Sequence, residues 1–288
     1  MKKLLVLFTT ISLLFIGCES KKSEVNEKDY SDYKVISLAP SITENIIGLG
    51  MEDTLIAVDT YSIFDETKDL TTLDAMTLNT EEILLLQPTH ILVADYNYEG
   101  DKKSGYSIFE DEGIKVIPIS GANSIDDIYL GISEVGKALD NTDASDNLVD
   151  ELKTKVEDIT NKYSNKTIKK VYMEIAPAPN IYTPGKSSFL NEIITLVGGE
   201  NIFNDVEKDY FSPSAETIIE ENPDVIITNV NYIDNPIDEI LSRDGFDNIS
   251  AVKNNTVFKV ATDETSRPSC KFIIGMEEIA KAIHNEKQ

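Results

Sequence analysis

Two glutamates stand at matching places in the chain. Glu81 opens Thr80-Glu81-Glu82-Ile83-Leu84, with Pro88 and then Ile91-Leu92-Val93 beyond it. Glu216 opens Ala215-Glu216-Thr217-Ile218-Ile219, with Pro223 and then Ile226-Ile227-Thr228 beyond it. A carboxylate in the first turn of a helix is favoured by the helix dipole. On an open surface it can also take an arginine in two charge-assisted hydrogen bonds. Proline ends each helix and sets the chain extended before an aliphatic strand. The same Glu-to-Pro offset, repeated about 135 positions apart, predicts two similar α/β lobes.

A second set of candidates follows from where open α/β sheets hold ligands, outside the carboxyl ends of their strands. Those ends supply Pro40, Ser41, Thr60, Tyr61, Asp95, Tyr96 and Asn97 in the first half. In the second half they supply Ala176, Pro177, Tyr182, Thr183, Asn231, Tyr232, Thr265 and Arg267. Tyrosine recurs among them, and a flat ring carrying a hydroxyl suits a large, partly polar ring system or chelate. No metal site and no cofactor are expected. The two histidines, His90 and His284, are far apart in sequence, whereas zinc and manganese sites need clustered His and carboxylates.

Catalytic motifs are missing as well. Gly185-Lys186-Ser187 resembles the end of a phosphate-binding loop, but Asn180 stands where that loop requires Gly. There is no G-x-S-x-G, no H-E-x-x-H, and no histidine placed to serve as base for a Ser or Cys nucleophile. Glu44, Glu174 and Asp263 are assigned to capping, solvation or ligand hydrogen bonding. No catalytic residue is predicted.

The elements that must position these groups alternate strand and helix. Val35-Ile36-Ser37-Leu38 reads as a strand, and Ser41-Ile42-Thr43-Glu44 has the form of a capping box opening the next helix. Further alternation predicts parallel sheets covered by helices on both faces. Between the halves, Leu148, Leu152, Val156, Ile159 and Tyr163 form one apolar stripe on a charged helix from about Thr142. The expected organisation is an amino-terminal lobe over 34–141, a linking helix over 142–165 and a carboxy-terminal lobe over 166–288. A single stiff crossing implies small relative motion of the lobes.

The first residues carry a targeting signal. Lys2 and Lys3 precede an uncharged apolar run, Leu4 to Ile16, which is too short for a permanent membrane helix. Residues 1–17 therefore read as a signal peptide. Phe15-Ile16-Gly17-Cys18 resembles the lipobox of bacterial lipoproteins, with Cys18 as the lipidation site, and the polar stretch 18–33 reads as a flexible tether. Cys270 is the one remaining thiol, so the body is held by its core rather than by an internal disulfide. The formal net charge of −25 repels phosphate backbones, which excludes nucleic acid as a partner, and fits docking on a basic one.

Val35 to Gly50, "VISLAPSITENIIGLG", closely resembles the opening of the cobalamin and ferric-siderophore binding proteins of ABC importers. "GIKVIPIS" ending at Ser120, "TPGKSSFLNEIITLVGGENIF" ending at Phe203, "SAETIIEENPDVII" ending at Ile227 and "RPSCKFIIGMEEIA" ending at Ala280 follow in the family's order. The resemblance implies two Rossmann-like lobes joined by one long α-helix, a ligand cleft between them, and a monomer held outside the cytoplasm. It also implies docking on a permease dimer through Glu81 and Glu216. Its corrinoid binders use Trp, which this chain lacks, leaving Tyr96 as substitute. Anionic ferric catecholates would favour several arginines, and only Arg243 and Arg267 exist. A neutral or cationic chelate, or a corrinoid held by tyrosine, is therefore expected; haem is disfavoured by the placement of His90 and His284. A structural or adhesive lipoprotein would require neither the paired glutamates nor the tyrosine-lined strand ends.

Overall fold

A computed structural model describes residues Asp29–Glu286. The signal segment 1–17, Cys18 and most of the proposed tether lie outside the described residues. Tyr33, the last residue of the expected tether, already belongs to the body. Its ring stacks on His90 at 4.9 Å, and its hydroxyl donates to Asp140 at 2.7 Å. No helix among the described residues is long and apolar enough to cross a membrane.

The first lobe runs β1 (Val35–Ser37), α1 (Pro40–Gly48), β2 (Leu55–Asp59), β3 (Thr71–Leu73), α2 (Thr80–Leu85) and β4 (His90–Ala94). It continues with α3 (Ser107–Asp111), β5 (Lys115–Ile119) and α4 (Ile125–Ala138). Its five strands are all parallel, in the order β3-β2-β1-β4-β5. Both faces of the central strands are buried, which is why β4 reads as the unbroken apolar run Ile91-Leu92-Val93. Pro118 sits within β5, an edge strand, where its missing N–H costs the ladder nothing.

The helix α5 (Thr142–Tyr163) lies between the last strand of this sheet and the first of the next. Its stripe buries Leu152 and Tyr163, and α4 packs closely along it. Gly136 makes that approach possible, since a Cβ there would lie 2.2 Å from Ser145 Oγ.

The second lobe runs β6 (Lys169–Glu174), β7 (Thr183–Pro184), α6 (Phe189–Leu196), β8 (Gly199–Asn201), β9 (Tyr210–Phe211) and α7 (Ala215–Glu221). After these come β10 (Val225–Thr228), α8 (Pro236–Leu241), α9 (Ser250–Lys253), β11 (Val257–Lys259), α10 (Thr262–Ser266) and α11 (Phe272–His284). Four strands form a parallel sheet in the order β11-β10-β6-β8, and β7 pairs with β9 in a small antiparallel ribbon. Each lobe has its own core. Ile36, Ile91, Ile83 and Phe109 pack in the first, and Tyr172, Ile226, Ile218 and Phe246 in the second.

The capping box expected at Ser41–Glu44 does not form. Ala39 is the N-cap, without a side-chain hydrogen bond, because Pro40 occupies the first helical turn and starts the helix before Ser41. Glu44 instead faces inward, 1% exposed, among partners from the far end of the chain.

Candidate functional site

The Glu–Pro repeat is built the same way in both lobes. Asn79 caps α2 by accepting from the Glu82 amide, and Ser214 caps α7 by accepting from the Thr217 amide. Glu81 and Glu216 each occupy the second helical position, exposed, while Ile83 and Ile218 two residues on are fully buried. Gln87 and Asn222 both take left-handed backbone, φ 51° and 49°, immediately before the buried Pro88 and Pro223. Each helix leads into the amino end of a parallel strand. In open α/β sheets ligands are held at the opposite, carboxyl edge.

A cavity of about 450 Å³ lies at that edge. Pro40 and Ser41 after β1, Tyr96 after β4 and Ser120 after β5 supply its first-lobe wall. The strand order reverses between β1 and β4, so the cavity sits at the topological switch point of the first sheet. The second lobe closes it with Phe189 of α6, Tyr210 of β9 and the segment Ser266-Arg267-Pro268. Its volume lies within the range of roughly 300–1,000 Å³ typical of small-molecule sites.

The lining is aromatic and neutral-polar. Burial, with the charges of Asp59 and Asp95, raises the Tyr96 phenol above its usual value, and burial with Asp209 raises Tyr210. Both therefore stay protonated and can donate hydrogen bonds. The two charged residues in the wall are engaged by protein. The Asp127 carboxylate accepts from the Asn123 and Ser124 amides at 3.1 and 3.0 Å, closing a capping box on α4. The Ser124 hydroxyl is the main reason its pKa lies below the usual range. Arg267 donates from Nη1 to Glu44 at 3.0 Å and from Nη2 to the Tyr61 carbonyl at 3.2 Å, and pairs with Asp263 at 3.1 Å.

Of the strand-end candidates, Pro40, Ser41, Tyr96 and Arg267 line this cavity. Tyr61 meets Arg267 through its carbonyl, with its ring exposed. Asp95 accepts from the Tyr96 amide at 2.7 Å and the Gly121 amide at 3.1 Å, bracing the loops after β4 and β5. Asn97 faces a separate depression beside Met76 and Tyr106. Thr183 is corrected to a structural role: it is fully buried, and its hydroxyl donates to the Met173 carbonyl at 2.7 Å. Tyr182, Asn231 and Tyr232 lie on the surface and do not line the cavity.

Phe189, Tyr210, Asn123 and Asp127 were not among the candidates. Phe189 and Asp127 lie in the first turns of α6 and α4, Tyr210 in a two-residue ribbon strand and Asn123 in the loop before α4, none of which is a strand end of a main sheet. Arg243 also differs from a free cleft cation. It binds both oxygens of the buried Glu174, at 2.6 and 2.9 Å, and is held from its other side by Glu239. Among the described residues no group of His, Cys, Asp and Glu is placed to hold a metal ion.

Residues 35–263 match the periplasmic binding protein family, and the chain belongs to it. An uncharacterized ABC transporter substrate-binding lipoprotein, YvrC, of Bacillus subtilis (strain 168) is 30% identical over 255 residues, 87% of this chain and 80% of that one. The vitamin B12-binding protein of Vibrio campbellii (strain ATCC BAA-1116) is 24% identical over 257 residues, 88% of this chain and 90% of that one. A solved structure of a possible iron-binding (periplasmic solute-binding) protein from Staphylococcus epidermidis ATCC 12228 superposes with a TM-score of 0.77 at 34% identity, covering 88% of this chain and 99% of the other. The periplasmic heme-binding protein HutB of Vibrio cholerae shares the fold, with a TM-score of 0.78 at 21% identity over 87% of this chain and 98% of that one.

Proposed function

We propose that this chain is the lipid-anchored solute-binding component of an ABC importer, working as a monomer outside the cytoplasm. It takes up an iron chelate or a corrinoid in the interlobe cavity and presents it, chemically unchanged, to a permease dimer. Glu81 and Glu216 dock on basic pockets of the two permease subunits, and Cys18 carries the lipid. The observation that carries this reading is the duplicated helix: two exposed carboxylates at the same helical position, one in each lobe. Paired carboxylates of this kind fix register on a basic partner.

The ligand is neutral or cationic. Both arginines are neutralised by glutamates within the chain, and the wall offers aromatic rings and uncharged hydrogen-bonding groups. A test pairs Glu81→Arg with Glu216→Arg in one chain and measures uptake by cells beside ligand affinity of the purified protein. Uptake is expected to fall at least tenfold, the order set by losing charge-assisted interface pairs, with affinity unchanged. Loss of affinity, or normal uptake, would remove these residues from docking.

A further inference from the structure

Among the described residues, two groups of hydrogen bonds cross between the lobes, one on either side of the cavity, and they differ sharply in kind. On one side the segment 267–271, which precedes α11 of the second lobe, is stitched into α1 of the first. The buried Glu44 carboxylate accepts from Arg267 Nη1 at 3.0 Å and from the Ser269 hydroxyl, with Lys271 Nζ at 3.9 Å. Beside it Asn45 Oδ1 accepts from the Cys270 amide at 2.8 Å, and the Cys270 thiol donates to the Glu44 carbonyl at 3.4 Å. The fit is close enough that a Cβ on Gly48 would lie 2.7 Å from Cys270 Sγ. Parting the lobes here would strip the buried Glu44 carboxylate of its counter-ion and leave Arg267 only Asp263 of its own lobe, and breaking a buried pair is strongly disfavoured.

On the other side, among the described residues, one hydrogen bond crosses. The Ile125 amide, at the start of α4, donates to Glu192 Oε2 of α6 at 2.8 Å. Glu192 is only half-buried, so water can replace either partner when the bond opens. Phe189 on the same helix and Asn123 and Asp127 beside Ile125 all line the cavity.

We propose that the lobes turn about a fixed pivot at Glu44–Arg267 and part at Glu192, so that ligand enters and leaves between α4 and α6. Glu192 is then a positioning residue that sets how long ligand stays. The inference takes its cavity from the solute-binding reading above, but its hinge can be tested without ligand.

Hydrogen exchange of the ligand-free full chain supplies that test. Amides 123–127 are expected to exchange at least tenfold faster than amides 44–48 and 270–272 in the unaltered protein. Glu192→Ala should raise exchange at 123–127 further and leave the pivot segments and the melting temperature unchanged. Stopped-flow dissociation of cyanocobalamin or a neutral ferric trihydroxamate, whichever binds, should then quicken about tenfold, the loss of one charge-assisted hydrogen bond. Glu192→Gln, which keeps an oxygen acceptor, should restore most of the residence time. Pivot segments that exchange as fast as 123–127, or a Glu192→Ala protein that releases ligand at the original rate, would overturn the proposal. If neither probe binds, the assignment of ligand class fails while the exchange pattern still decides the hinge.

Discussion

Replacing Arg243 with methionine leaves Glu174 as an uncompensated carboxylate inside the second lobe. Glu174 is 1% exposed and the Arg243 side chain 9% exposed, so solvent screens the pair little. Burial alone would lower the guanidinium pKa, but the hydrogen bonds to Glu174 and Glu239 outweigh it and hold Arg243 firmly charged. Breaking a buried pair by removing one member costs about 3–5 kcal/mol. In a chain of this size each kcal/mol shifts the melting temperature by roughly 2–4 °C, so Arg243→Met should lower it by roughly 6–20 °C. Methionine keeps apolar contact with Phe246, over which the guanidinium now sits at 5.2 Å, so the loss reports the charge more than the packing. Glu174→Gln in the same chain removes the stranded charge and still offers the Tyr172 hydroxyl an acceptor. That double variant should recover most of the loss. Calorimetry and urea titration of the four proteins in the cycle give the coupling directly. A single-variant cost below about 1 kcal/mol, the range of exposed pairs, would refute the reasoning. So would a double variant no more stable than the single one. Because Arg243 is committed to Glu174, ligand affinity measured well below the melting point should not change in either variant.

Burial, reinforced by the Lys115 charge and opposed by Asp140, holds His90 below its ordinary pKa of 6.5. The neutral ring is the folded form, so its contribution to stability is complete above 6.5 and is lost as pH falls through the lower folded value. His90→Phe keeps a ring against Tyr33 and removes a buried Nε2 with no hydrogen-bond partner, and melts across the histidine range should show less acid sensitivity. Gly136→Ala should destabilise the body by about 1–3 kcal/mol in urea titration, because its Cβ would force α4 from α5 at Ser145. Restoring room with Ser145→Gly should return part of that loss. Cys18→Ala should move the protein from the membrane to the soluble fraction of cells, with unchanged ligand affinity. Retention in the membrane would remove the lipid anchor.

The lobes were legible because their evidence is local. Apolar runs such as Ile91-Leu92-Val93, the stripe from Leu148 to Tyr163, and proline punctuation each report on a few neighbouring residues. The first-lobe wall was legible for a topological reason, since Pro40, Ser41 and Tyr96 follow strands that flank a switch point. The second-lobe wall was not, because Phe189 opens a helix and Tyr210 lies in a ribbon too short to show any alternation. Glu44 was misread for a similar reason. Ser41-x-x-Glu44 fits a capping box in spacing, but Pro40 shifts the helix start, and the true partners lie more than two hundred residues away. Long-range pairing of single charged residues leaves no periodic trace.

The stitching of residues 267–271 into the first lobe bears on how the molecule is assembled. The first lobe is continuous in sequence and can form before the second is complete. Its Glu44 carboxylate nevertheless waits for Arg267 and Ser269, which are made more than two hundred residues later. A chain truncated before α10 would keep the first sheet intact while lacking the counter-ion for its most deeply placed acid. Synthesis of segment 267–271 is therefore what seals the earlier half, and products that stop short of it should betray themselves by a first lobe that melts early.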